Sequence, residues 1–420
     1  MLKRTSVFLW TLLLALLSMP YSGFADDTYH TPLAGEPFGT TVFGEKVKID
    51  ARDRANTRAL SLGVTLYTPT LAGTDALPIA AFYWRNETEQ YRSRMIFSLF
   101  ANEWDGAIKT KSGLEFLAHF ENYTNPFPQE EIINGKSLKE TSAEWGYGAG
   151  WLGLGYRLPV APFQSDNDLR LQLFYTGKYL YNSRTSDTGA TVQLPPDTWE
   201  NGLHIRLRHD GLRRNIMELP HQGVAFGADL EWSNRLHWGD STYADYVFRK
   251  SKTEQYTKLS GYAMAALPVP LLSEKNRLIT SVYGGFSPEN DLDRYSGFRV
   301  GGGPFPTESD DLWRTTYPGA IFNQFTLSDY VIGNIEYRRE LLFFLYLHLR
   351  GTFAWINCDN QPANDYFKLN QDHGEAFSLG LTSGLPLDST LYLEFSRDFG
   401  MLRNGNSSNG LMLLWSKSFQ

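Results

Sequence analysis

The feature that most constrains this chain is a strict period of two sustained over long segments. In "LRLQLFYTGKYLY", Leu169, Leu171, Leu173, Tyr175, Tyr179 and Tyr181 share one face, and Arg170, Gln172, Thr176 and Lys178 share the other. "GLHIRLRHD" sets Leu203, Ile205 and Leu207 against His204, Arg206 and Arg208. "GVAFGADLEW" sets Val224, Phe226, Ala228, Leu230 and Trp232 against Asp229 and Glu231. "STLYLEFSRDFG" sets Leu391, Leu393 and Phe395 against Glu394, Ser396 and Asp398. Successive side chains of a strand point to opposite faces, so this pattern predicts strands.

Two environments produce such alternation. In a soluble sandwich the apolar face is a core; in a membrane barrel it meets lipid while the polar face lines a lumen. Length separates them, since segments of ~11–15 residues exceed the usual ~3–10 of globular strands and approach the ~9–11 that span a bilayer. Tyr179, Tyr181, Trp232 and Trp355 lie near segment ends, as in interfacial girdles. An aromatic content of 15% with mean hydropathy of -0.34 suits a wall half lipid-facing and half lumen-facing. Net charge is -7 without charge blocks, which gives nucleic acid nothing to bind.

The ends suggest export. Lys3 and Arg4 precede the apolar run "SVFLWTLLLALLSMP", and Gly23 and Ala25 offer a cleavage site, so residues 1–25 read as a signal peptide. Cys358 is the only cysteine, which excludes a disulfide framework. Residues 26–59 are polar and irregular, too few for a sizeable domain, and read as a short periplasmic tail before a barrel over 60–420. Strands are expected near 60–69, 78–87, 91–101, 104–111, 112–123, 146–158, 169–181, 201–210, 223–238, 253–267, 276–286, 327–339, 341–356, 373–385, 389–399 and 409–419. That is about sixteen, with fourteen the alternative if the 102–112 region pairs differently. Long links near 124–145, 182–200, 287–326 and 357–372 fall on one side, which should be extracellular.

"WSKSF" resembles the C-terminal aromatic signal read by the outer-membrane assembly machinery, with Trp415 and Phe419 on one face and Gln420 following. The order "GFRVGGGP…YPGA…NIEYRREL" resembles the barrel of the outer-membrane assembly-factor superfamily (BamA and TamA type, the bacterial surface antigen family). Phe298, Arg299, Gly301, Gly302, Glu336, Tyr337 and Arg338 carry the likeness. Asp210, Arg213, Asn215, Pro220 and Gly223 resemble a family turn with stretched spacing. The resemblance implies a long loop folded into the lumen, held by Arg299, Gly301, Gly302, Gly303, Asp310, Asp311, Arg314 and Gly319. It also implies a role in inserting or translocating proteins or lipids, with a protein client or periplasmic partner. Two departures stand out. The family's loop carries an Arg-Gly-aromatic tip, where this chain reads Tyr317-Pro318-Gly319-Ala320, with Arg314 out of register. Residues 26–59 are also expected to be too few to hold the family's periplasmic transport-associated modules.

Arg170, Lys178, Arg206, Arg208, Glu336, Arg338 and Arg350 are the expected lumen-facing strand residues, and outer-membrane lipid is the expected surrounding. A passive or plugged pore is the alternative, and an outer-membrane hydrolase the remote one. His209 and Asp210 are adjacent and so point to opposite faces. His119, His204 and His348 read as polar lumen residues. The glycine run lacks the Lys-Ser/Thr of a phosphate loop. No catalytic, cofactor or metal residue is assigned.

Overall fold

The computed structural model describes residues 30–42, 44–71, 74–124, 127–243, 246–289, 292–303, 312–358, 369–403 and 405–419. Met1–Thr31 and Pro32–Gln420 are separate compact units; of the first only His30 and Thr31 are described, so the expected signal segment lies outside the described residues.

Sixteen long strands pair antiparallel, each with its sequence neighbour, and the last pairs with the first. They are β1 Asn56–Leu71, β2 Thr74–Glu87, β3 Tyr91–Ser98, β4 Ala101–Lys109, β5 Leu114–Thr124 and β6 Lys136–Pro159. Then follow β7 Asp168–Arg184, β8 Thr198–Asp210, β9 Pro220–Arg235, β10 Gln255–Pro268 and β11 Asn276–Phe286. The set closes with β12 Asp329–Leu342, β13 Leu345–Asn357, β14 His373–Leu385, β15 Ser389–Asp398 and β16 Ser408–Phe419. Two short strands, Gln129–Ile133 and Arg213–Arg214, add to this closed sheet.

Burial decides what surrounds the barrel. On β7, Leu171, Leu173 and Tyr175 are 55%, 50% and 60% exposed, whereas Gln172 and Thr176 at the alternate positions are 6% and 8% exposed. An outer face of leucine and tyrosine with polar groups turned inward is the inverse of a soluble core and matches a lipid-facing wall. The chain is therefore an all-β transmembrane-type antiparallel barrel. Short turns gather at one end, such as Phe343–Phe344 between β12 and β13, and long connections at the other.

Three details differ from the sequence expectation. β1 and β2 are 16 and 14 residues, not short. β6 begins at Lys136, ten residues earlier than expected, because 124–145 is not an irregular link. Gln129–Ile133 folds back on β6 through a two-residue turn at Asn134 (φ 53°) and Gly135 (φ 73°), with Ile133 opposite Lys136. Asn-Gly directly after Ile132-Ile133 is the hairpin signal for this turn. Finally, the link 287–326 is not strand-free: Phe298–Val300, just before Gly301–Gly303, forms an inner strand paired with Phe325–Leu327.

Candidate functional site: the lumen and its inward loop

The connection between β11 and β12 turns into the barrel and packs on the inner wall. Val300, Tyr317, Ala320, Phe325 and Leu327 of the loop form one buried apolar cluster with wall residues including Tyr262, Tyr283, Tyr330, Ile332 and Ile356. Apolar side chains inside a largely polar lumen have no role there except to bury one another, which is how the loop becomes a fixed plug. The glycines make this possible by close approach. A Cβ on Gly301 would lie 2.2 Å from the Asn323 nitrogen, and one on Gly302 would lie 2.2 Å from the Ala320 carbonyl oxygen. Tyr317-Pro318-Gly319-Ala320 forms a tight turn, with Ala320 N–H donating to Tyr317 O at 3.2 Å and Gly319 at φ +79°. Proline second and a positive-φ glycine third are the residues such a turn requires.

Polar anchors fix the plug to the wall. Arg235, fully buried, donates Nη1 to Asp293 Oδ2 at 2.5 Å and Nε to Glu200 Oε1 at 2.8 Å. Arg294 meets Glu131 at 3.1 Å and donates to the carbonyls of Thr141 and Gln129 at 2.7 and 2.6 Å. Tyr317 Oη donates to Asp398 Oδ1 at 2.8 Å. Arg314 Nη2 reaches Glu103 Oε2 on β4 at 2.7 Å, so an arginine of this loop does engage an acid of the inner wall from its shifted position. Arg299 bonds Thr326 Oγ1 and the Arg294 carbonyl and lies 5.0 Å over the Trp145 ring. Asp310 and Asp311 lie outside the described residues. Glu103, Glu131, Arg235, Asp293 and Asp398 escaped the sequence reading. Arg235 and Asp398 lie in expected strands, where parity does not identify a partner on a distant strand, and Glu103, Glu131 and Asp293 fall in expected links, where no parity is legible.

The strand charges expected in the lumen face inward and are paired. Arg170 Nε lies 2.7 Å from Asp168, Lys178 Nζ 2.5 Å from Glu200, and Arg208 Nη2 2.7 Å from Asp229. Arg206 Nε lies 3.6 Å from Asp229. Glu336 takes Arg338 at 2.7 Å and Arg350 at 3.4 Å, and Arg350 also meets Glu394 at 3.3 Å. The lumen is thus divided. Near β10–β14 the plug packs on apolar wall, while near β2–β9 a small cavity of about 100 Å³ is lined by seven arginines and four aspartates together with loop residues Leu312 and Trp313. The larger space is a cavity of about 1010 Å³ bounded by the plug, β1–β6 and parts of β9, β10, β12, β15 and β16.

The histidines are held in this network. His119 contacts Asp105 at 2.8 Å and Glu121 at 3.4 Å, His204 contacts Asp229 at 2.7 Å, and His348 bridges Glu336 at 2.9 Å and Thr382 at 2.8 Å. His209 stacks on Phe226 while Asp210 pairs with Arg214 at 2.6 Å, so the two adjacent side chains take separate partners. Among the described residues Glu103, Asp105 and His119 place ligand-type atoms within 4.8 Å of one another. Arg94 and Arg314 pair with Glu103, and Arg206 lies 3.9 Å from Asp105, so these carboxylates already have arginine counter-charges.

At the short-turn end the segment before β1 lies against the turns. Ala34 N–H donates to Arg214 O at 3.0 Å, and Ile216 N–H donates to Pro32 O at 2.9 Å. Arg54 pairs with Asp166 and, at 2.9 Å, with Glu218. Arg52 reaches Ser418 Oγ at 2.9 Å. Hydrogen bonds from the Asn56 side chain, with others from the backbone N–H groups of Ala55 and Asn56, hold the Asp53 carboxyl below its ordinary range. Phe38–Val42 and Glu45–Ile49 form a separate hairpin.

The closing seam is complete. β16 and β1 pair over eleven residues, from Asn409 opposite Thr68 to Phe419 opposite Arg58, and Ser61 and Ser416 share a 2.7 Å hydrogen bond in the lumen. Leu411, Leu413 and Phe419 face outward at 41–42% exposure, and Trp415 is half-buried on the same face.

No family model matches this chain, and no curated protein matches it. Solved outer-membrane barrels do. CdiB from Acinetobacter baumannii superposes with TM-score 0.53 at 12% identity, over 91% of this chain and 65% of its own. BamA from Haemophilus ducreyi lacking POTRA domains 1-3 gives TM-score 0.51 at 13% identity, over 91% and 75%. CdiB from Escherichia coli gives 0.50 at 11%, over 91% and 67%. This chain thus spans about two thirds of the length of the CdiB structures. At these identities the likeness establishes a shared outer-membrane barrel fold.

Proposed function

We propose that this protein is an outer-membrane translocation or assembly barrel, exported by the segment 1–25 and closed at rest by its own β11–β12 loop. The observation that carries this reading is the loop itself, which occupies the lumen and is anchored by Arg235–Asp293, Arg294–Glu131, Arg314–Glu103 and Tyr317–Asp398. The long-loop end is extracellular and the short-turn end periplasmic. A client, protein or lipid, passes either through the lumen when the loop withdraws or through the β1–β16 seam, where a freed strand edge offers main-chain hydrogen bonds. The likeness to CdiB and BamA barrels and the motif order around Gly301 and Glu336 support the same class.

A plugged, static barrel is the second reading, favoured by the fully paired seam. One experiment separates them. In a Cys358→Ser background, Ser61→Cys with Ser416→Cys locks the seam, and planar-bilayer recordings are made with and without deletion of residues 300–320. The expected result is a small current in the intact barrel, a large one after deletion, and impaired client insertion in the locked seam. Large stable currents from the intact barrel would refute the plug. Normal insertion with a locked seam would remove the seam route.

A further inference from the structure

We propose that the barrel wall is breached at its long-loop end between β2 and β5, and that the breach admits the hydrocarbon chain of an outer-leaflet amphiphile into the lumen. The inference goes beyond the plug reading, since a static barrel would carry the same opening.

The breach begins with strand length. β3 and β4 have 8 and 9 residues, whereas their flanking strands β2 and β5 have 14 and 11. Pairing of β2 with β3 starts only at Ala81 opposite Ser98, so Thr74–Ala80 rises above the β3–β4 hairpin with no strand on that side among the described residues. Pro78 removes one N–H from this stretch, as suits a free edge.

The large cavity reaches this gap. Inward residues such as Tyr83, Glu103 and Glu121 line it, together with residues 77–81 along the unpaired edge and residues 99–102 at the top of the hairpin below.

Height and chemistry name the occupant. Asn102 donates to Asn122 at 3.0 Å on the outer face, and Thr124, next along that face, bonds Tyr181 Oη at 3.0 Å. Tyr181 stands beside Tyr179, which packs on Trp199 at 5.0 Å, in the aromatic girdle of the neighbouring strands. The floor of the breach is therefore level with the outer interface, where acyl chains meet headgroups. An unpaired edge is tolerated at that level and not deeper in hydrocarbon. The mouth carries Leu99 at 56% and Phe127 at 61% exposure, and Leu77, Ile79 and Ile96 continue the apolar surface inward. At about 1010 Å³ the cavity matches the upper end of small-molecule pockets, ~300–1,000 Å³.

The test uses the full chain in phosphatidylcholine vesicles containing a phosphatidylcholine with a photoreactive diazirine at its acyl terminus. Adducts are mapped by mass spectrometry after irradiation. The expected result is labelling of Leu77, Ile79 or Ile96 as well as of the outward Phe226. Ile79→Asp should cut the inner adducts about tenfold, because an unpaired charge disfavours hydrocarbon beside it. Ile96→Trp, which fills the space but stays apolar, should cut them too, and heat-modifiable gel mobility reports whether each variant folds. Labelling confined to outward side chains in the folded wild type would overturn the proposal. So would inner labelling by a photoreactive strand peptide but not by the lipid, which would assign the breach to a polypeptide.

Discussion

Replacing Arg235 by methionine is expected to release the plug without dissolving the barrel. Arg235 is fully buried and belongs to β9, while its partner Asp293 belongs to the loop. In the variant Glu200 keeps Lys178 at 2.5 Å and Tyr256 at 3.0 Å, so its cost is the same whether the loop is in or out. Asp293 loses its cation only when the loop is in. Breaking a buried pair by removing one partner costs about 3–5 kcal/mol, and the retained Ser296 and Tyr295 donors place this case near 3. That is roughly a 150-fold rise in the loop-out population at 1.4 kcal/mol per tenfold. The assay is maleimide labelling of Ala320→Cys, a position 1% exposed in the plug, in a Cys358→Ser background. Labelling through rare openings should accelerate by about two orders of magnitude. Adding Asp293→Asn removes the stranded charge and keeps an acceptor for the Tyr295 and Ser296 N–H groups, so labelling should slow again. An unchanged rate in a folded Arg235→Met barrel would refute the reasoning, because the anchor would then not be holding the loop.

Tyr317→Phe removes one hydrogen bond to the Asp398 carboxylate, worth about 1.5–3 kcal/mol, and should accelerate the same labelling by a smaller factor than Arg235→Met. Leu173→Arg puts a charge on the lipid face near the middle of β7 and should lower the unfolding free energy in bilayers by about 2–4 kcal/mol, read by urea titration; an equal effect from Gln172→Arg on the lumen face would contradict the assignment of faces.

Much of the barrel was legible because alternation is local. His373–Leu385 and Asn276–Phe286 match their sequence boundaries, since a membrane strand declares its faces residue by residue. The 104–111 region, the weakest stretch of the count, forms Ala101–Lys109, and sixteen strands close. The hairpin at Asn134–Gly135 was also present in the sequence as turn chemistry, but a long polar link obscured it. The reason for glycine at Gly301 and Gly302 is backbone contact with Ala320, Ile321, Asn323 and Gln324, a long-range fact that the glycine run alone does not carry.

The sequence by itself determined the period, the two faces, the approximate strand set and the presence of a long loop carrying Arg299, Arg314 and a Tyr-Pro-Gly turn. These follow from each residue's own chemistry and its immediate neighbours. Tertiary structure alone decided that Arg314 meets Glu103 and Arg235 meets Asp293, that the plug packs on β10–β14, and that the wall stops short above β3 and β4. The ion pairs and the plug packing join positions far apart in the chain. Barrel closure and register fix such pairings, and no local pattern encodes them.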